Sequence, residues 1–227
     1  DGTDNDGDGL IDFPNDPGCS SISDNNESNP SNPVGSGCNA GSQCQSGICQ
    51  SGTCVSGAGG SCSSSSQCLS GFSCSGGQCL GTVGASCASS VQCLSGLICA
   101  GGVCANPPDF SLNSSNNISV NVTGAGSGTS NSSQITVTPF SGFSSAVNLS
   151  VQSVSPALSG ASYSFAPSAL PQTQYSSGST FQVTVPGSTV PGNYVITIKG
   201  EGGNPTLIRT VNVNLNVSST SPVFREI

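Results

Sequence analysis

Histidine, tryptophan and methionine are absent from this chain of 227 residues, and lysine plus arginine number only three. Each absence removes a class of function. Without imidazole there is no Ser-His or Cys-His nucleophile pair. Lys199, Arg209 and Arg225 are the only bases, so no phosphate-tracking surface can be assembled and nucleic acid is excluded as a partner. No apolar run is long enough to span a bilayer, and no basic amphipathic stretch suits its surface. Charged residues make up 6 % of the chain. A lone strand lysine, Lys199, suits a solvated rim better than a Schiff base. The chain is therefore read as non-enzymatic. It has neither an initiating methionine nor a signal peptide, and it reads as processed or as part of something longer.

The scarce charge is concentrated. Residues 1–27 hold eight acids and no base, which accounts for the whole net charge of −8. Within them, Asp4, Asp6, Asp8 and Asp12 are spaced as the first, third, fifth and ninth positions of a calcium loop. Gly9 stands at the sharp turn, and the Leu10 carbonyl supplies the backbone ligand. Asn15 takes the place of the bidentate glutamate of a helical EF-hand, and Pro14 and Pro17 forbid a following helix. Closure then falls to Asp16, or to Asp24 and Glu27 folding back. The expected cofactor is calcium, the alternative a merely acidic loop.

Thirteen cysteines follow a different logic. Twelve form three tandem units: Cys38, Cys44, Cys49 and Cys54; Cys62, Cys68, Cys74 and Cys79; Cys87, Cys93, Cys99 and Cys104. A Gln-Cys-x-Ser-Gly phrase recurs at residues 43–47, 67–71 and 92–96. Zinc would favour Cys-x-x-Cys knuckles or histidine ligands, and the chain has neither. Units this small cannot bury a self-sufficient core, the situation in which disulfides replace burial. Four cysteines allow three connectivities, of which first-to-third with second-to-fourth is the expected one. The setting is oxidising, hence extracellular or at the cell surface.

Residues 1–27, with the Asp-Gly-Thr-Asp-Asn-Asp-Gly-Asp-Gly-Leu-Ile-Asp run, then Asp16-Pro17-Gly18-Cys19, Asp24 and Glu27, resemble the calcium modules of secreted bacterial surface proteins. Those modules are related in logic to thrombospondin type 3 repeats. Such modules usually place a cysteine just before the opening Asp-Gly, which implies an upstream partner for the odd Cys19; a bridge to another chain is the alternative.

The C-terminal part alternates apolar and polar residues in short rows punctuated by Gly and Pro. Ile118/Val120/Val122, Ile135/Val137, Val147/Leu149/Val151, Tyr163/Phe165, Phe181/Val183/Val185, Tyr194/Ile196/Ile198 and Val211/Val213/Leu215/Val217 predict seven strands in a two-sheet sandwich. Pro191-Gly192-Asn193-Tyr194 suits a tyrosine corner. From Asp109 to Val217 the stretch resembles bacterial immunoglobulin-like domains, without the inter-sheet cystine of antibody domains. The fold expected is mostly β: a calcium module (1–28), a linker (29–37), three Cys-rich repeats (38–54, 62–79, 87–104), a linker (105–108), an Ig-like sandwich (109–217) and a tail or linker (218–227).

Sequons for attached glycan occur at Asn26, Asn113, Asn117, Asn121, Asn131, Asn148 and Asn216. Their number is what chance supplies in a chain this rich in Ser and Thr, so placement carries the argument. Asn121, Asn148 and Asn216 fall on outward strand faces. The function expected is an elongated structural subunit of a bacterial surface appendage or fibril that self-associates. One expected donor is residues 221–227, adding a strand to a neighbour's sheet. The alternative is an adhesive or carbohydrate-binding accessory region, for which Tyr175 is the one ring expected to be exposed.

Overall fold

The computed structural model describes residues 2, 3, 11, 13, 15, 32–124 and 126–220 of the protein. The chain divides into two compact units, Asp1–Pro107 and Pro108–Ile227. The division falls inside the segment expected to be a linker.

In the first unit each cysteine repeat is a short antiparallel hairpin preceded by a 3₁₀ turn. The hairpins are β1 (Cys49–Gln50) with β2 (Thr53–Cys54), β3 (Phe72–Ser75) with β4 (Gln78–Gly81), and β5 (Ile98–Ala100) with β6 (Val103–Ala105). Two residues at each tip have positive φ: Ser51 and Gly52, Gly76 and Gly77, Gly101 and Gly102. Left-handed backbone at both central positions is the type I′ turn, whose twist matches that of the flanking strands. This explains the glycine found at the second tip position of all three hairpins.

The recurrent glutamine has a structural duty. Gln43, Gln67 and Gln92 each end a 3₁₀ turn, spanning Gly41–Gln43, Ser65–Gln67 and Ser90–Gln92. The Gln43 Oε1 accepts from the Asn39 and Ala40 N–H groups at 2.6 and 3.3 Å. Gln67 Oε1 accepts from Ser63 and Ser64 N–H at 2.7 and 3.3 Å, and Gln92 Oε1 from Ala88 N–H at 2.7 Å. The amide thus satisfies donors at the turn's N-terminus that have no partner within it. The first repeat is one residue shorter between its second and third cysteines. Its loop closes so tightly that a Cβ on Gly41 would stand 2.5 Å from the Gly47 carbonyl oxygen. The other repeats carry serine there, and the Ser65 and Ser90 hydroxyls accept from the Cys74 and Cys99 N–H groups.

One boundary differs from the sequence reading. Residues 32–37, assigned to a linker, belong to the first repeat. Gln45 N–H donates to Asn32 O at 3.0 Å and Cys54 N–H to Ser36 O at 2.8 Å, as Leu69 does to Ser56 and Cys79 to Gly60 in the second repeat. Backbone groups beside each hairpin need partners, and the residues leading into the repeat supply them. Proline punctuation concealed this pairing.

The second unit contains β7 (Asp109–Ser114), β8 (Ile118–Val122), β9 (Ser127–Thr129), β10 (Ser133–Phe140), β11 (Val147–Ser155), β12 (Ser162–Ala166), β13 (Ala169–Leu170), β14 (Ser179–Pro186), β15 (Gly192–Gly202) and β16 (Leu207–Ser219). They form two sheets. One is ordered β12-β14-β10-β7, with β9 also on β14, and the other β13-β11-β15-β16-β8. All seven apolar rows are strands; β7, β9 and β13 are additional, β9 and β13 being too short to show a row, whereas β7 carries a short row of its own, Phe110/Leu112. The first strand region splits between sheets, since β7 pairs antiparallel with β10 whereas β8 pairs parallel with β16. Alternate residues of both sheets meet in one core that includes Phe110, Ile118, Ile135, Val147, Phe181, Ile196 and Leu215. At Gly200 a Cβ would lie 2.7 Å from Val147 and 3.1 Å from Leu112, so only glycine lets the sheets approach there.

The glutamine cap gives a local test. Gln67→Ala should raise the rate at which reductant opens the second repeat about fivefold, the factor that corresponds to the ~1 kcal/mol of a lost cap. Peptide mapping of thiol labelling should show the first and third repeats unchanged.

Candidate functional site

Two kinds of site were expected, a metal loop and a set of sulfur cross-links. The proposed calcium ligands Asp4, Asp6, Asp8, Leu10, Asp12, Asp16, Asp24 and Glu27 lie outside the described residues, as do Cys19, the Asn26 sequon and residues 221–227. The cysteine repeats are fully described. The bridges are Cys38–Cys49 and Cys44–Cys54, Cys62–Cys74 and Cys68–Cys79, and Cys87–Cys99 and Cys93–Cys104. Each repeat therefore joins first to third and second to fourth cysteine. The two bridges of a repeat lie side by side, with the sulfurs of Cys38, Cys44 and Cys54 within 4.8 Å of one another. All twelve sulfurs of the repeats are consumed in covalent bonds, and the fourth cysteine of each repeat is the most buried, with Cys54 and Cys79 fully enclosed. Sulfur here is the centre of each repeat's small core.

Tyr175 corrects a sequence expectation. It was the ring expected at the surface, and it is 4 % exposed. Its hydroxyl donates to the Ser145 carbonyl, its ring stacks on Phe143 at 6.2 Å, and burial pushes the phenol pKa up. A 3₁₀ turn, Gln172–Gln174, ends directly before it and folds the ring inward, which alternation alone did not signal. A carbohydrate platform built on Tyr175 is thereby removed. Tyr194 is buried too and its hydroxyl donates to the Val190 carbonyl at 2.7 Å, four residues upstream, which is the geometry of a tyrosine corner.

Ionisable chemistry is sparse. Residues 32–107 contain no charged side chain. Among the described residues of the second unit the charges are Asp109, Lys199, Glu201 and Arg209, and they form two ion pairs. Lys199 Nζ meets Glu201 Oε1 at 2.9 Å and Arg209 Nη2 meets Asp109 Oδ2 at 2.7 Å. The Arg209 hydrogen bond holds the Asp109 carboxyl below its usual range, opposed by partial desolvation and helped by the Phe110 N–H and the charge of Arg209. Among the described residues, none of these four charges lines either of two recesses that meet at Val190. The larger recess, about 380 Å³, is lined by Val122, Thr123, Ser188, Thr189, Val190 and Ser219, a set of hydroxyls and aliphatic carbons.

The six described sequon asparagines are all exposed. Four are engaged: Asn113 donates to Thr138, Asn117 accepts from Asn214, Asn131 accepts from the Ser119 N–H, and Asn216 donates to Asn193. The hydroxyl of the Asn131 sequon belongs to Ser133, which is fully buried and donates to the Asn116 carbonyl.

No protein-family model matches the chain, and no curated protein matches it in sequence. Similar solved structures include the N-terminal domain of PorA, at 12 % identity and TM-score 0.32, covering 48 % of this chain and 97 % of that one. The Bacillus anthracis TIE protein is 12 % identical at TM-score 0.30, over 50 % of this chain and 24 % of its own length. A chimeric titin Z1Z2 is 16 % identical at TM-score 0.26, over 50 % of this chain and 99 % of that one. Likeness at these levels carries no argument about function.

Two substitutions test the geometry. Tyr175→Ala should destabilise the sandwich by about 3–5 kcal/mol, the usual cost of truncating a buried aromatic, measured by urea unfolding. Asp109→Asn tests the ion pair, which is about 40 % exposed on each side. A depressed carboxylate pKa contributes stability above the unfolded value near 3.9, and that contribution is lost as pH falls through the folded value. Wild type should therefore exceed Asp109→Asn by about 0.5 kcal/mol at pH 6, an exposed pair's worth, and the two should converge near pH 2.

Proposed function

We propose that the chain is a non-enzymatic, extracellular structural protein, a subunit of a bacterial surface appendage or fibril. The observation that carries this reading is the expenditure of twelve cysteines on repeats whose small cores are built around sulfur. Such cross-linking resists dilution, proteolysis and mechanical wear outside the cell, and it offers no reactive centre. The absence of histidine and the pairing of Asp109, Lys199, Glu201 and Arg209 with one another leave no free acid–base couple among the described residues.

Calcium belongs to this reading as a rigidifying ion at the acidic N-terminal segment. The donor set is a hard-cation set, all carboxylate and carbonyl oxygen, and a divalent ion offsets the repulsion among eight acids. Glycan on the exposed asparagines would supply the solubility that a surface with so few charges lacks. Asn121 and Asn148 are exposed, and neither side chain is tied to another side chain among the described residues, which makes them the foremost acceptors on the β8–β16–β15–β11 face. Self-association completes the reading, with residues 221–227 as the strand donor.

Calcium titration of the native protein tests the ion directly. Calorimetry should detect saturable binding, and chelator should increase protease cleavage within residues 1–31 while residues 109–217 stay intact. Unchanged cleavage, or no heat of binding, would remove calcium from the account.

A further inference from the structure

In each repeat the first cysteine is joined to the third and the second to the fourth, so every residue between the first and fourth cysteines lies inside a covalent loop, and only residues 55–61 and 80–86 lie between loops. A pull on Cys38 and Cys54 runs through the Cys38–Cys49 bridge, whose Cα atoms are 5.9 Å apart, and then along the short segment from Cys49 to Cys54. The remaining loop is slack that force does not reach. The Cys62–Cys74 and Cys87–Cys99 bridges repeat the arrangement with the same 5.9 Å span. At roughly 3.4 Å per extended residue, the taut path from Cys38 to Cys104 is about 120 Å, against about 225 Å for the same segment without bridges.

The sandwich has no bridge, but its strand order resists the same pull. β8 near the start of the unit and β16 at its end are parallel neighbours, registered from Leu215↔Ile118 to Ser219↔Val122. A force that draws the two ends of the unit apart slides these strands along their common axis. The backbone bonds between them must then fail together and cannot be opened one at a time. Ile118, Val120, Val122, Leu215 and Val217 are buried along this seam and keep water from it. β7 adds to the clamp, since Asp109 is tied to Arg209 and the Ser114 hydroxyl donates to the Asn212 carbonyl at 3.4 Å.

We propose that the chain is a tension-bearing element, in which interleaved bridges cap the extension of residues 38–104 at about 120 Å and the parallel β8–β16 seam sets the force at which the sandwich yields. This function goes beyond the structural reading above and requires no partner chain, so it stands or falls separately from assembly.

Single-molecule force spectroscopy on the full chain, held at its two ends, tests it. Under oxidising conditions the sandwich should rupture in one event that frees at most about 370 Å of contour, and residues 38–104 should extend no further than about 120 Å. Reductant should add about 100 Å without changing the rupture force. Val120→Pro, within the seam, should lower that force at least twofold. Val183→Ala, on β14 in the core away from the seam, should leave it near wild type for an equal loss of equilibrium stability. Should Val120→Pro fail to fold, Val217→Ala on the opposite side of the seam provides the same comparison. Gradual extension without a rupture, equal forces for the seam and β14 variants, or extension of residues 38–104 well beyond about 120 Å with bridges intact would each overturn the proposal.

Discussion

Disulfide bridging is the constraint on which the first unit depends. Its repeats are only 24 and 25 residues apart, and the apolar side chains within them are few. Phe72 and Ala85 are the only buried apolar side chains other than cysteine in the second repeat's core cluster, and the first repeat's core cluster consists of cysteine alone. Burial on that scale cannot offset the conformational entropy of ordering the chain. Closing loops of 10–12 residues lowers that entropy cost in the unfolded state by about 3 kcal/mol per bridge. Everything else in the repeat is backbone bookkeeping: the glutamine amide caps the 3₁₀ turn, the left-handed tip closes the hairpin, and the leading segment satisfies its edge.

The second unit is built on the opposite principle. It contains no cysteine beyond residue 104, and its stability comes from two sheets whose inward residues are fully enclosed. Its outward faces are mostly serine, threonine, asparagine and glutamine, with Phe140, Val195 and Ile208 exposed among them, and with cross-strand contacts such as Thr197 with Asn212 and Thr129 with Thr184. Neutral ladders of this kind give a surface nearly indifferent to pH and ionic strength, because almost nothing on it titrates. The only described charges are the four that pair with one another. A molecule made of a cross-linked unit and a neutral, core-stabilised unit suits long exposure outside a cell.

The sequence was most legible where a repeating physical demand left a repeating mark. Strands appeared as period-two rows because one face of each is buried, and Tyr194 announced its corner through the preceding Pro-Gly-Asn. The grouping of twelve cysteines into three units was legible because the same spacing recurs three times, whereas spacing alone does not choose among the three possible connectivities. The failures also have causes. Tyr175 looked exposed because it sits between strands, and only the tertiary path of the turn before it turns the ring inward. Residues 32–37 looked like a linker because Pro30 and Pro33 mark extended chain, and extended chain is also what pairs with a hairpin edge. β9 and β13 carried too few alternating positions to register, whereas Phe110 and Leu112 of β7 form a pair as regular as Ile135 and Val137.

Disulfide mapping of native protein, digested without reduction and read by mass spectrometry, tests the central claim most directly. The account predicts six intrachain bridges, first to third and second to fourth in every repeat. Free thiols at these twelve positions, or adjacent cysteines joined in sequence, would contradict it.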